Sequence, residues 1–198
     1  MAVLIGNGDG TFGVSREYET PPQPWSVRLA DLDHDGWLDA VSANYGGHNA
    51  SVLLGTGGGA FGPHADYAVN GYPVSMELAD LNHDGAPDLV TTSGGTVVSV
   101  LLGAPDGTFA PANDYATGYE ARAVAAGDLN HDGHPDLAVV NDINGTVSVL
   151  LGRGDGTFLP RTDFPTVAEP WTIAIGDLDG DGKTTWSSAA TGAARSSR

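Results

Sequence analysis

Apolar residues along this chain fall in runs of four to seven, rich in Val and Leu and bounded by Gly, Asn, Asp and Pro. That punctuation is the signature of short β-strands, and no stretch carries the longer period of a helix. One unit reads WSVRLA (25–30), DAVSAN (39–44), SVLLG (51–55) and a polar stretch ending in DYAV (66–69). The next reads VSMELA, DLVTTS, VVSVLLG and NDYAT, and the third ARAVAAG, DLAVVN, TVSVLLG and TDFPT. Each unit therefore predicts four strands.

Two motifs keep this rhythm in fixed phase. DLDHDGWLD (31–39), DLNHDGAPD (80–88), DLNHDGHPD (128–136) and DLDGDGKTT (177–185) start 49, 48 and 49 residues apart. VLIGNGDGTF (3–12), VLLGTGGGAF (52–61), VLLGAPDGTF (100–109) and VLLGRGDGTF (149–158) follow the same spacing. Four strands in about 49 residues are the anatomy of a propeller blade. The expected fold is all-β, a β-propeller of four-stranded antiparallel blades, with three whole blades and a half blade at either end. Two readings of that count stand: the halves pair to close a four-bladed ring, or the chain is part of a larger propeller. A blade cannot bury both faces alone, so Trp25, Phe61, Phe109, Phe158 and Trp171 are expected to fill the seams. The repeats are expected over residues 1–186. Residues 187–198, small and polar after the last motif breaks down, are expected to be disordered.

Charge changes the picture. The net charge is −17, and 20 of the 25 acidic residues are Asp, 13 of them in the four copies of the first motif. An acid-rich surface repels nucleic acid and anionic membranes, and no apolar stretch is long enough for a membrane-spanning helix. Charge needed only for solubility has no reason to gather in this way, so a cation among the carboxylates is the better reading. With no cysteine, thiol chemistry, thiolate metal sites and disulfides are excluded. The N-terminus lacks the basic region and apolar core of a signal peptide. It starts within a repeat, which fits an upstream portion.

In Asp31, Asp33, Asp35 and Asp39, alternate side chains of a curled loop converge, and Gly36 supplies the turn. Hard oxygen ligands in such a loop suit Ca²⁺. The helix-flanked calcium loop ends in Glu at position twelve; here that position holds Ser42, Thr91 or Val139, so the helical version is excluded. Closure falls instead to position nine. The expected ligands are Asp31, Asp33, Asp35, the Trp37 carbonyl and Asp39; Asp80, Asn82, Asp84, the Ala86 carbonyl and Asp88; and Asp128, Asn130, Asp132, the His134 carbonyl and Asp136. Asp177, Asp179 and Asp181 form a fourth loop with Thr185 at position nine, expected to bind weakly. About three Ca²⁺ sites follow.

Other signals reduce to the repeat. The Arg153-Gly154-Asp155 tripeptide occupies the turn that Asn7-Gly8-Asp9 fills elsewhere, and the glycines of that turn lack the Lys of a phosphate loop. His34, His83 and His131 share loop position four and are expected at the surface. No nucleophile motif is present.

The alternation of D-x-[DN]-x-D-G-x-x-D with V-L-L-G-x-x-D-G-T-F over residues 3 to about 182 resembles the FG-GAP/VCBS repeat family, calcium-loop blades also found in integrin α propellers. The resemblance implies a seven-bladed propeller in an extracellular or cell-envelope protein, with Asp31, Asp33, Asp35, Asp39 and their counterparts holding calcium. The function it favours is a non-catalytic module that binds a protein or glycan in adhesion, with the loop-bearing surface as contact face. A non-catalytic accessory domain of a secreted hydrolase or lyase, or an enzyme with a central-channel site, are the alternatives. Self-association could complete the ring. Tyr45 and Trp37, exposed side by side, would favour a glycan.

Overall fold

The computed structural model describes residues 1–166 and 168–190. Three four-stranded antiparallel sheets follow one another along the chain, each ordered as in the sequence. The first comprises β3 (Pro24–Ala30), β4 (Asp39–Asn44), β5 (Asn49–Gly57) and β6 (Ala60–Ala68). The second comprises β7 (Ser75–Ala79), β8 (Asp88–Thr92), β9 (Val97–Leu101) and β10 (Asn113–Ala116). The third comprises β11 (Ala121–Gly127), β12 (Asp136–Asn141), β13 (Thr146–Leu150) and β14 (Thr162–Pro165). Two-stranded sheets flank them: β1 (Ala2–Val3) with β2 (Arg16–Glu17), and β15 (Pro170–Gly176) with β16 (Thr185–Ala190).

Register repeats as faithfully as sequence. Ala30 pairs with Asp39, Ala79 with Asp88, Gly127 with Asp136 and Gly176 with Thr185. The second strands β4, β8 and β12 are buried at every position, their polar residues Ser42, Asn44, Thr91, Thr92 and Asn141 included.

The core lies in the seams. First strands of successive blades pack side by side, β3 on β7, β7 on β11 and β11 on β15. One cluster joins Leu32, Val41, Val52 of the first blade to Met76, Leu89, Leu101 and Phe109 of the second. Its counterpart joins Leu81, Val90 and Val100 to Val124, Leu137, Leu150 and Phe158. Burying each Leu or Phe contributes about 1.5–3 kcal/mol, a gain that a blade without a neighbour forgoes.

The aromatic expectation holds in part. Phe61, Phe109 and Phe158 meet Tyr18, Tyr67 and Tyr115 of the preceding sheet edge-on, at 5.4, 5.4 and 5.2 Å. Trp25 and Trp171 do not fill seams: they are 57% and 45% exposed. Both sit near the start of a first strand, outside the layer where apolar clusters form. The terminal halves do not pair, and β1–β2 and β15–β16 remain separate sheets, so the architecture is a partial propeller and not a closed four-bladed ring. Residues 187–190, expected to be disordered, form the end of β16. Ser187, Ser188, Ala189 and Ala190 pair with β15 through backbone bonds, which require no apolar alternation. The remainder of that tail, 191–198, lies outside the described residues. Among the described residues no helix is long and apolar enough to cross a membrane.

Candidate metal centre

Each acidic loop connects the first two strands of a blade, so all four project from one end of the strands. Their backbones match. Position four is left-handed in His34, His83 and His131 (φ 59°, 59° and 61°) and in Gly180 (77°); position six is Gly with φ between 84° and 91°. Left-handed backbone is uncommon outside Gly, and His is among the residues that tolerate it. The histidines are exposed, as expected, but two also bridge loops. His83 Nε2 lies 3.0 Å from the Gly133 carbonyl, and the Thr184 amide donates to His131 Nε2 at 3.2 Å.

Within loop one, Gly36 N–H donates to Asp31 Oδ2 (3.1 Å), Asp35 N–H to Asp33 Oδ1 (3.2 Å) and Trp37 N–H to Asp35 Oδ1 (2.8 Å). These bonds curl the loop around its own carboxylates. Asp31, Asp33 and Asp39 bring one oxygen each within 4.8 Å of one another. Asp31 Oδ1 is buried with no hydrogen-bond partner, an unsatisfied acceptor that costs free energy unless a cation or water meets it. Asp35 stands outside this cluster, exposed.

Position nine has a second role that spacing alone does not reveal. Asp39 is fully buried; its Oδ2 accepts from Leu32 N–H (2.7 Å) and its Oδ1 from Gly55 N–H (2.6 Å). Asp88 takes Leu81 and Gly103, and Asp136 takes Leu129 and Gly152, in the same way. The carboxylate thus ties its loop to the third strand. The glycine that ends each VLLG run makes this possible: a Cβ at Gly55, Gly103 or Gly152 would collide with the carbonyl of Leu38, Pro87 or Pro135. Burial pushes the Asp88 and Asp136 carboxyls above the ordinary carboxylate value, opposed by those same backbone donors.

Loops two and three carry Asn where loop one has Asp33. Asn82 Nδ2 donates to Asp84 Oδ2 and its Oδ1 accepts from Asp84 N–H; Asn130 and Asp132 repeat this. The amide thereby occupies an oxygen that a carboxylate would leave free, and no three-carboxylate cluster forms in either loop among the described residues. Loop four does form one: Asp177, Asp179 and Asp181 converge, all exposed. Backbone donors, Gly182 N–H first for Asp177 and Lys183 N–H first for Asp181, hold both carboxyls below the ordinary value. Lys183 Nζ also reaches Asp181 Oδ2 at 3.0 Å. Among the described residues, two acidic clusters able to coordinate a metal ion are therefore present.

Tyr45 does not stand beside Trp37. It stacks on Trp25, with ring centroids 4.8 Å apart and planes at 18°, at the other end of the strands. Trp37, half-exposed, instead covers Gly57 of the adjoining hairpin.

A family profile described as an FG-GAP-like repeat matches four overlapping stretches, residues 1–42, 31–91, 80–139 and 128–184. None of the curated proteins matches. Among solved structures, a lectin of Agrocybe aegerita that recognises non-reducing terminal N-acetylglucosamine is 25% identical, with a TM-score of 0.58 over 82% of this chain and 45% of its own. BBS1N in complex with ARL6DN is 14% identical, with a TM-score of 0.59 over 86% of this chain and 51% of its own. The V. cholerae biofilm matrix protein Bap1 is 20% identical, with a TM-score of 0.54 over 93% of this chain and 33% of its own. The chain thus spans about half the length of the first two structures it matches, or less.

Proposed function

The chain belongs to the FG-GAP-like repeat family, and on that premise we propose that it is a calcium-holding, non-catalytic module that binds a glycan in an extracellular or cell-envelope setting. It is a repeat-built β-sheet module with acidic clusters suited to a metal ion, and it resembles a glycan-binding lectin. The observation that carries the calcium reading is the buried, unpartnered Asp31 Oδ1 beside Asp33 and Asp39. An all-oxygen donor set in a loop selects a hard cation. Asp31, Asp33, Asp39 and the Trp37 carbonyl would hold it in loop one. Asp80, Asn82, Asp84, Asp88 and the Ala86 carbonyl would do so in loop two, and Asp128, Asn130, Asp132, Asp136 and the His134 carbonyl in loop three. In the last two, the Asn amide must turn its oxygen inward. Loop four supplies Asp177, Asp179 and Asp181 without a closing carboxylate. The ion contributes cohesion, because a ligand that binds only the folded chain adds to its stability.

The glycan reading is supported by the lectin likeness. Calorimetric titration of the chelator-stripped chain with calcium tests the metal part, with about three sites expected and none sinking it. A glycan panel probed with the calcium-loaded chain tests the binding part; saccharide capture that disappears on chelation is the expected result, and no capture at all overturns it.

A further inference from the structure

At the end of the strands opposite the acidic loops, the seam between the third blade and the β15–β16 sheet opens into a cavity of about 520 Å³. Glu120, Asp142, Ile143, Asn144, Glu169 and Trp171 form most of its wall. The equivalent place between the first two blades is filled. There Tyr45, fourteen residues after its loop begins as Asp142 is after Asp128, lies 4.9 Å from Tyr72, and Tyr72 lies 4.4 Å from His48. In a repeat protein the periodic residues are accounted for by the fold, so a pocket made by breaking the period at one seam needs its own explanation.

Its groups are ordered. Arg122 donates to Glu120 Oε1 (2.9 Å) and Asp142 Oδ2 (3.0 Å), and its guanidinium lies 4.4 Å over the Trp171 ring. Asp142 is only 8% exposed, and no hydrogen bond from the described residues reaches its Oδ1. Asn144 Oδ1 accepts from Tyr119 N–H, which fixes the amide and leaves Nδ2 to donate. Glu120 and Asp142 hold the guanidinium and Glu169 adds a third carboxylate to the wall, so the pocket is rich in acceptors and holds an excess of two negative charges beside an aromatic wall.

We propose that this seam binds an amino sugar carrying a free ammonium group, a proposal that rests on the glycan-binding reading. The apolar face of the pyranose lies against Trp171 and Ile143. Ring hydroxyls donate to Asp142 Oδ1 and accept from Asn144 Nδ2, and the ammonium neutralises the carboxylate charge that Arg122 leaves uncompensated. A neutral sugar would use the aromatic wall and leave that charge unmatched; a basic peptide would match the charge and leave the hydroxyl partners idle.

Calorimetry on the calcium-loaded full chain with the trisaccharide of glucosamine, that of N-acetylglucosamine, and trilysine separates these cases. The free-amine trisaccharide should bind about tenfold tighter than the acetylated one, the scale of one charge-assisted contact, and high salt should shrink that advantage. Trp171→Ala should weaken both saccharides, and Glu169→Gln, which keeps the shape, should remove most of the amine preference; unchanged calcium uptake certifies both variants as folded. Equal affinity for the two saccharides, trilysine binding as tightly, or indifference to both substitutions overturns the proposal. If both trisaccharides fail while other glycans on the panel are captured, the seam falls alone; if nothing on the panel binds, the glycan reading falls with it.

Discussion

Loop two and loop four share the same opening motif and the same backbone, yet they are held in different ways. In loop two, Asp88 is fully buried and collects two backbone donors, while Leu81 at position two is 1% exposed under Leu150 and Phe158 of the following blade. In loop four, position nine is the exposed Thr185, and Leu178 is 70% exposed with no described blade beyond it. Loop four nevertheless gathers three carboxylates, and loop two does not. Clustering of acids therefore follows position three, which is Asp in loops one and four and Asn in loops two and three, whereas anchorage comes from the closing Asp and the neighbouring blade. The two properties are separable, and sequence displays only the first.

Substitutions can test that separation. The largest effect is expected from Asp88→Ala, which orphans the Leu81 and Gly103 amides; at about 1–3 kcal/mol for each buried unpaired donor, a loss of roughly 2–6 kcal/mol should appear in denaturant unfolding under chelator. Asp177→Ala, at an exposed position, should leave the unfolding midpoint nearly unchanged, and a comparable cost at both sites would erase the distinction. Next, Leu81→Ala should cost about 2–4 kcal/mol through the cavity it leaves, against a negligible cost for Leu178→Ala. Third, Thr185→Asp should give loop four its missing closing carboxylate and tighten its calcium binding about tenfold, or about 1.4 kcal/mol; no change in the calorimetric isotherm would mean that closure also needs the third strand. The smallest effect concerns protons. In the metal-free chain, Asp88 and Asp136 titrate above the ordinary carboxylate value, so their contribution to stability is present below that value and lost as pH rises through their folded pKa. Asp177 and Asp181 titrate below it, and what they contribute is present above the ordinary value and lost as pH falls through their folded pKa. Carboxyl-carbon chemical shifts followed from low to neutral pH should show the two pairs moving in opposite directions from an ordinary Asp.

Much of this was legible in the sequence because a repeat states its rules several times. The phase of the two motifs gives every blade, the strand order and the acidic loops. What depends on the space outside a segment was not legible. WSVRLA and PWTIAI look alike whether or not a neighbour covers them, so Trp25 and Trp171 read as seam residues although both are exposed. Ser187 to Ala190 lack a strand's apolar pattern but gain one through β15. Position nine of the motif reads as a ligand; only the Gly55, Gly103 and Gly152 amides reveal it also as an anchor. Glu120, Asp142 and Trp171 lie outside both motifs, and three-dimensional proximity alone brings them together.

The packing of each first strand on the sheets before and after it gives the chain the arithmetic of a one-dimensional array. The second and third blades are each covered on both sides, β7 packing on β3 and β11, and β11 on β7 and β15. Opening should then propagate inward from the ends. Amide protons of β8 and β12, the second strands of the doubly covered blades, should be the last to exchange, through near-global unfolding, while those of β1 and β16 exchange through local fraying. The acidic loops would thus sit in regions of graded cooperativity, the second and third opening only when most of the array has melted.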